Sequence, residues 1–197
     1  MRARLGEFEG ALDAMSTYRD NLQQLGKGRE FAVTAGCVWD VCWWSGEVQH
    51  GKEKLRESYE FLEKTGNKAF LSEIVRGLAE VALREAALDE AERLSALSEE
   101  ISVAEDVEST AHVALLRAKV RAARSDLVAA KQLARQAIDL YKGTDYVERA
   151  ADSQLTLAEI LRAEGDPDAD AAALEALALY EEKGNLVGAG WVRAFLG

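Results

Sequence analysis

A turn-like triplet recurs along this chain at an almost constant spacing, and this repeat restricts the possible folds more than any other feature. Its first members lie 40, 40, 39 and 40 residues apart. The five copies are Gly6-Glu7-Phe8, Gly46-Glu47-Val48, Ala86-Ala87-Leu88, Ser125-Asp126-Leu127 and Gly165-Asp166-Pro167. A second marker keeps the same phase at Gly26, Gly66-Asn67, Thr144 and Gly184-Asn185. A fixed period of this length is typical of solenoids, in which each repeat is one small unit that stacks on its neighbours.

Each period predicts two helices separated by a turn. After the first marker, apolar residues recur at helical spacing on one face. These stripes are Phe8, Ala11, Leu12, Met15, Leu22 and Leu25 in the first copy, Leu88, Ala91, Leu94, Leu97 and Ile101 in the third, and Leu127, Ala130, Leu133, Ala134, Ala137, Ile138 and Tyr141 in the fourth. The other helix of each period is predicted over Phe31–Trp44, Ala69–Arg84, Ser109–Arg124, Val147–Ala163 and Leu186–Leu196. Gly66 and Gly184 suit the left-handed conformation that follows a helix end.

Composition and repeat together predict an all-α protein. The 197 residues include one proline, so little interrupts the helices. One helix pair cannot bury its apolar stripe alone, but a stack of pairs can, and the stack forms a curved solenoid with one concave face. We expect about nine to ten helices in antiparallel pairs. They would form one domain over residues 1–197, with units near 6–45, 46–85, 86–124, 125–164 and 165–197.

The pattern resembles the tetratricopeptide repeat (TPR) over essentially the whole chain. The likeness rests on a Gly-Asp or Gly-Glu turn, a closing Gly-Asn, and small residues at fixed places before and after the turn. Those small residues are Ala79, Ala118 and Ala158 before it, and Ala11, Gly51, Ala91 and Ala130 after it. Trp39 departs from this pattern, and Asp170 does too, where we expect Ala171 to serve. The resemblance implies a right-handed superhelical solenoid, in the 40-residue variant found in scaffold proteins and in the C-terminal arms of large bacterial regulators.

Charge and hydropathy exclude several classes of function. The formal net charge is −11, so we expect no direct binding to nucleic acid, which needs a basic surface. No apolar run approaches the roughly 18 residues of a membrane span, and the first residues lack the apolar core of a secretory signal. We therefore expect no membrane association and a cytoplasmic location.

Few residues of this chain could carry chemistry. Cys37 and Cys42 lie about 140° apart on one predicted helix and cannot bridge each other. His50 and His112 are the only histidines, and neither has metal-ligand spacing around it. The sequence contains neither a phosphate-binding glycine loop nor a nucleophile motif. We expect no catalytic residue, no metal and no cofactor.

The concave face of such an array is its usual binding surface. The TPR resemblance places set positions from one helix of each pair on that face. The residues expected to bind a partner are Asp40, Trp43, Trp44, Arg76, Glu80, Lys119, Glu159 and Arg162. The two tryptophans would supply apolar contact area, because tryptophan is over-represented among binding hot spots. Core packing is the alternative for this cluster, since Cys37–Trp44 holds three of the four tryptophans.

Two functional hypotheses follow from the sequence. The first is a non-enzymatic interaction module that binds a peptide or partner domain in its concave groove. The alternative is a ligand-sensing or regulatory arm of a larger bacterial signalling or transcription regulator, in which a small molecule would stabilise the array. We also expect the chain to be part of a longer protein. The other possibility is a complete protein that forms a homodimer through its N-terminal end.

Overall fold

Both predicted helices of each period form in the computed structural model, which describes residues 2–67, 70–102 and 106–197. Within these residues there is no strand, and ten α-helices follow a short 3-10 helix at Arg2–Leu5. They are α1 (Phe8–Gln24), α2 (Gly28–Ser45), α3 (Val48–Thr65), α4 (Leu71–Arg84), α5 (Leu88–Ile101), α6 (Val107–Ala123), α7 (Leu127–Tyr141), α8 (Val147–Glu164), α9 (Ala169–Glu182) and α10 (Leu186–Leu196). The predicted all-α class is confirmed. The predicted helix start at Ala69 lies outside the described residues.

The chain divides into two compact units, Met1–Val103 and Ala104–Gly197. The first unit contains α1 to α5 and the second contains α6 to α10. Inside each unit every helix packs against the next, and α2 also meets α4 as α6 meets α8. This neighbour-to-neighbour packing is typical of a helical repeat. The right-handed superhelix and the single domain over residues 1–197 stay predictions.

The first marker of all five copies adopts the same left-handed backbone conformation. A positive φ is uncommon outside glycine, because the Cβ atom then crowds the following carbonyl oxygen. The φ angles are 82° at Gly6, 82° at Gly46, 57° at Ala86, 64° at Ser125 and 74° at Gly165. The conformation is therefore a property of the repeat itself, and Ala86 and Ser125 adopt it without the freedom of glycine.

Replacing Ala86 or Ser125 by glycine is therefore expected to stabilise the protein. The left-handed conformation costs an L-residue roughly 1–2 kcal/mol, while the extra freedom of unfolded glycine costs about 0.5–1 kcal/mol. The net gain expected at each site is about 0.5–1 kcal/mol in the free energy of unfolding. Gly46→Ala is the matched control and should lose about 1 kcal/mol, since an added Cβ there meets nothing within 4 Å. Urea unfolding measures all three, and a loss of stability in Ala86→Gly would contradict the assignment.

Four of the helices that follow the first marker, α3, α5, α7 and α9, share one buried register. From an early small residue, each buries the residues four and seven places further on, and α3, α7 and α9 also bury the eleventh, all on one helical face. The buried sets are Gly51, Leu55, Ser58 and Leu62 in α3, Ala91, Ser95 and Ser98 in α5, Ala130, Ala134, Ala137 and Tyr141 in α7, and Ala169, Ala173, Ala176 and Tyr180 in α9. The expectation for Ala171 is wrong, because Ala169 takes the early small position and Ala171 is exposed. Leu25 is also exposed, since α1 ends before it.

One ion pair is repeated at equivalent positions of the two units. Lys52 at the start of α3 reaches Glu85 just beyond α4, with 2.6 Å between Nζ and Oε1. Lys131 of α7 pairs in the same way with Glu164 at the end of α8. Both partners are shifted by 79 residues, which is two periods. The repeat is therefore visible in individual side-chain contacts as well as in turns and buried positions.

Among the described residues, none of the helices has the length and apolar composition needed to cross a membrane.

Candidate functional site

The first unit gathers five of the predicted site residues on two helices that touch. Asp40, Trp43 and Trp44 lie in α2, while Arg76 and Glu80 lie in α4. Asp40, both tryptophans and Glu80 are half-buried, whereas Arg76 is only 6% exposed. The surface that they form with Gly36, Glu73 and Arg84 is called the α2–α4 face below.

Trp39 lies beneath this face and fixes a carboxylate on it. Its side chain is 2% exposed, and its indole Nε1 donates a hydrogen bond of 2.5 Å to Oε2 of Glu80. Its ring also packs edge-on against the ring of Trp43, with 5.9 Å between centroids. A charge-assisted bond from a buried donor holds a carboxylate in one place. Glu80 is therefore oriented by the core of the unit.

The Trp43 ring carries a guanidinium group on its surface. The central carbon of Arg84, the last residue of α4, lies 3.7 Å from the ring centroid. Its Nη2 donates a hydrogen bond of 3.0 Å to the carbonyl oxygen of Trp43. Partial burial lowers the pKa of Arg84, and the negative charge of Glu80 opposes this shift. The cation thus has three attractive groups around it: an aromatic face, a carbonyl oxygen and a carboxylate.

A glycine on α3 makes room for the bulk of Trp39. A Cβ on Gly51 would lie 2.5 Å from Cε3 of Trp39, whereas one on Gly77 would crowd Leu55, 2.9 Å from its Cδ2. Two other copies bury alanine at both positions, Ala79 with Ala91 and Ala118 with Ala130. Between α2 and α3 a large–small pair therefore replaces a small–small pair. This exchange puts an indole N–H under the face.

The remaining predicted site residues lie in the second unit. Lys119 of α6 is close enough to Glu159 of α8 to lower its pKa, but partial burial has the larger effect and raises it. Arg162 points toward α9 and α10, where its Nη2 lies 2.6 Å from Oδ1 of Asp170. Its guanidinium also covers the ring of Phe195 at 3.4 Å and donates to the carbonyl oxygen of that residue. Through these contacts Arg162 joins α8 to α9 and α10.

Sequence reasoning missed two contacts of the candidate site and one structural residue. Nothing in the spacing links Trp39 to Glu80, or Trp43 to Arg84, because each pair is 41 residues apart on different helices. Arg19 was left out of the apolar stripe of α1, yet it is only 4% exposed. It donates to the Phe31 carbonyl and the Thr34 hydroxyl and pairs with Glu57 at 3.0 Å. A signal existed, since Arg19 follows Leu12 and Met15 at helical spacing.

The two cysteines of α2 differ in accessibility, and this predicts a selective thiol reaction. Cys37 is exposed and Cys42 is fully buried. Burial raises the pKa of the Cys42 thiol to about 11, so little reactive thiolate forms near neutral pH. A disulfide reagent at pH 8 should modify one thiol per native chain and two in denaturant. Cys37→Ser should abolish the native reaction and Cys42→Ser should leave it unchanged. Rapid modification of Cys37→Ser would contradict the packing of α2.

The same pKa shift predicts a dependence of stability on pH. The Cys42 thiol holds its proton more tightly in the folded chain, so its contribution to the free energy of unfolding is complete below the unfolded pKa near 9 and is lost as pH rises through about 11. Urea unfolding of the unchanged chain and of Cys42→Ala across pH 8–11 measures this loss, which should be absent in the variant.

Each unit also has open cavities away from the tryptophans. A cavity of about 400 Å³ in the first unit lies between α1, α2 and α3 and is lined by Gln23, Phe31, Glu57 and Phe61 among others. One of about 490 Å³ in the second unit includes Arg135, Gln154 and Glu175. In the part of the chain that the structure describes, no group of three or more metal-ligating side chains comes together.

Comparisons with known proteins bear on the fold. No protein-family model matches the chain. A search of curated proteins also finds no match. Among solved structures, the crystal structure of BtubC (BKLC) from P. vanneervenii is similar, with a TM-score of 0.64 and 17% sequence identity. The match covers 94% of this chain and 82% of that one. At this identity the likeness shows a shared fold and nothing more.

Proposed function

We propose that the chain is a TPR-like, non-enzymatic interaction module that binds a peptide segment or a partner domain on the α2–α4 face. The observation that carries the proposal is the pair of half-exposed tryptophans beside an oriented carboxylate and a stacked guanidinium. Tryptophan and arginine dominate binding hot spots, because they combine large contact area with directional polar groups. The proposal includes a cytoplasmic location. It also includes no direct contact with nucleic acid, which the net charge of −11 supports.

The rigidity of the face supports a binding role. Trp39 is buried in the core cluster of the first unit, and Trp43 packs against that cluster. The aromatic surface is therefore held by the core and does not need a partner to order it. A preformed surface loses less conformational entropy when a partner binds. The alternative of a ligand-sensing arm stays a prediction, since no cavity described above is lined by a tryptophan.

A capture experiment with matched variants tests the proposal. The immobilised chain is exposed to lysate of the cells that make it, in three forms: unchanged, Trp44→Asp and Tyr18→Asp. Trp44 is the half-buried residue of α2 assigned above to the α2–α4 face, and Tyr18 is an exposed aromatic residue on α1 of the same unit. Circular dichroism and thermal unfolding confirm that each variant is folded.

The expected result is a protein retained by the unchanged chain and by Tyr18→Asp but not by Trp44→Asp. Retention by all three forms, or loss in Tyr18→Asp alone, would place the interaction elsewhere. Retention by none of them at physiological salt, while a small-molecule thermal-shift screen finds a stabilising ligand, would favour the sensing alternative.

A further inference from the structure

The contacts around Arg84 have the form of an occupied binding site for a guanidinium group. The central carbon of the cation lies over the Trp43 ring, 3.7 Å from its centroid. One edge donates to the backbone carbonyl of Trp43 at 3.0 Å, and the charge of Glu80 acts on it. An aromatic face, a carbonyl acceptor and a carboxylate are the groups that recognise arginine in partner chains.

This site is built without help from the residue that fills it. Glu80 is oriented by the indole N–H of Trp39, and Trp39 itself is fixed by burial. The Trp43 ring is placed by its contacts with Trp39 and the core cluster. Removing the Arg84 side chain would therefore leave ring, carbonyl and carboxylate where they are.

Arg84 can leave the site at low cost to the fold. It is the last residue of α4, and it is more exposed to solvent than Asp40, Trp43 and Glu80, although the ring covers part of its guanidinium. No helical turn follows it within α4, so a rotamer change moves the guanidinium into water without disturbing the helix. In the second unit Arg162 has the same kinds of group around it, namely the ring and carbonyl oxygen of Phe195 and the carboxylate of Asp170. The difference lies in the carboxylate, because the side chain of Asp170 is 67% exposed, whereas Glu80 accepts a hydrogen bond from a buried indole.

The charge of the surrounding face suits a basic occupant. Its three carboxylates, Asp40, Glu73 and Glu80, outnumber its two guanidinium groups, Arg76 and Arg84, and the chain as a whole carries a net charge of −11. Glu73 comes so close to Gly36 that a Cβ there would lie 2.6 Å from its Oε1. Carboxylates distributed around an aromatic surface attract a cationic segment and steer its approach.

We propose that the α2–α4 face recognises an arginine side chain in a basic peptide segment, and that this arginine replaces Arg84 over the ring of Trp43. The inference rests on the proposed function of the face and adds the chemistry of the partner. Arg84 acts as an internal competitor that covers the aromatic surface until such a segment arrives. Its removal should strengthen binding, although a deleted contact usually weakens it.

A binding experiment with a charge-matched control separates competition from simple electrostatics. The probe is fluorescein-labelled hexa-arginine at 150 mM NaCl, measured by fluorescence anisotropy. The variants are Arg84→Ala and Arg29→Ala, which lose the same charge in the same unit. Arg29 also lies over an aromatic ring, 4.9 Å from the centroid of Phe70, but at the other end of α2. We expect Arg84→Ala to bind roughly three- to tenfold more tightly than the unchanged chain, and Arg29→Ala to gain far less.

Loss of the ring should remove this gain. In the double variant Arg84→Ala/Trp43→Leu, affinity for hexa-arginine should fall below that of Arg84→Ala, while circular dichroism reports an intact fold. Equal gains in Arg84→Ala and Arg29→Ala would overturn internal competition. No binding of the probe by any form would overturn arginine recognition. Either failure is distinct from failure of the proposed function, which the capture experiment with Trp44→Asp decides separately.

Nuclear magnetic resonance tests the replacement of Arg84 on the unchanged chain itself, so the result does not depend on how tightly a variant binds the probe. In the ¹⁵N-labelled unchanged chain, the Nε–H signal of Arg84 is displaced by the ring current of Trp43, and an Arg84→Lys variant assigns it. Addition of unlabelled hexa-arginine should move this signal toward that of a solvated arginine. An Arg84 signal that stays in place while the probe binds would overturn the replacement.

Discussion

Replacing Gly51 by alanine is expected to destabilise the protein by about 1–3 kcal/mol, the usual cost of overpacking a core. The added methyl group would lie 2.5 Å from Cε3 of Trp39 and 3.0 Å from the Cβ of Cys42. Both neighbours are buried and have no room to move away. Alanine normally stabilises a helix relative to glycine by about 0.5–1 kcal/mol. A lower free energy of unfolding in Gly51→Ala is therefore evidence for the clash.

A double-mutant cycle with Trp39 identifies the cause. Trp39→Ala alone should cost about 3–5 kcal/mol, because it leaves a cavity in the core of the first unit. In the Trp39→Ala background, Gly51→Ala should leave the free energy of unfolding unchanged or raise it. The double variant then has alanine at both positions, as two other copies do. In those copies the alanines are Ala79 with Ala91 and Ala118 with Ala130. Urea unfolding of the four proteins measures the coupling. Additive effects would show that Gly51 does not accommodate Trp39.

The second large effect is expected in the other unit, at Gly188 of α10. A Cβ there would lie 2.5 Å from both Cδ1 and Cε1 of the Tyr180 ring. Tyr180 is 1% exposed, and its hydroxyl donates to Asp152, so the ring cannot shift without breaking that bond. We expect Gly188→Ala to lower the free energy of unfolding by about 1–3 kcal/mol, with a loss of near-ultraviolet circular dichroism from the tyrosine.

Gly190, two residues further along the same helix, provides the matched control. A Cβ at Gly190 meets nothing within 4 Å, so alanine there should stabilise α10 by about 0.5–1 kcal/mol. The same chemical change thus has opposite signs two residues apart. Equal destabilisation by both substitutions would mean that α10 does not pack on Tyr180 in this register.

The repeat accounts for most of what the sequence predicts correctly. Its markers locate every turn of the first type, and the left-handed conformation is found even where the marker is Ala86 or Ser125. Apolar spacing predicts the stripe of α7 down to Tyr141. These features are local, because a turn and a helical face depend on residues within a few positions of one another.

The candidate site depends on contacts that spacing along the chain does not encode. Trp43 meets Arg84, and Trp39 meets Glu80, across two helices whose relative rotation is set by packing. The space for the Trp39 ring is provided by Gly51, which lies on a different helix, α3. The sequence therefore indicates that a tryptophan cluster exists, but not which ring is buried and which is covered by a guanidinium.

Alanine-rich helices are harder to predict at the level of single positions. In α9 the run Ala171-Ala172-Ala173 would put an alanine on the buried side of the helix in several different rotations. In the structure the buried side is the one that contains Ala169 and Ala173. The large ring of Tyr180 settles this choice, because it occupies the same place as Tyr141 one repeat earlier. A bulky residue at the end of a helix thus fixes the rotation that small residues leave open.

Site-specific photo-crosslinking tests the central claim, that the α2–α4 face is the surface by which this chain meets its partner. The photoreactive residue p-benzoylphenylalanine replaces Trp44 in one protein and Tyr18 in another, and each is irradiated in lysate of the cells that make the chain. The account predicts a discrete, heavier covalent adduct from position 44 and none from position 18. An adduct from position 18 with none from position 44 would contradict it.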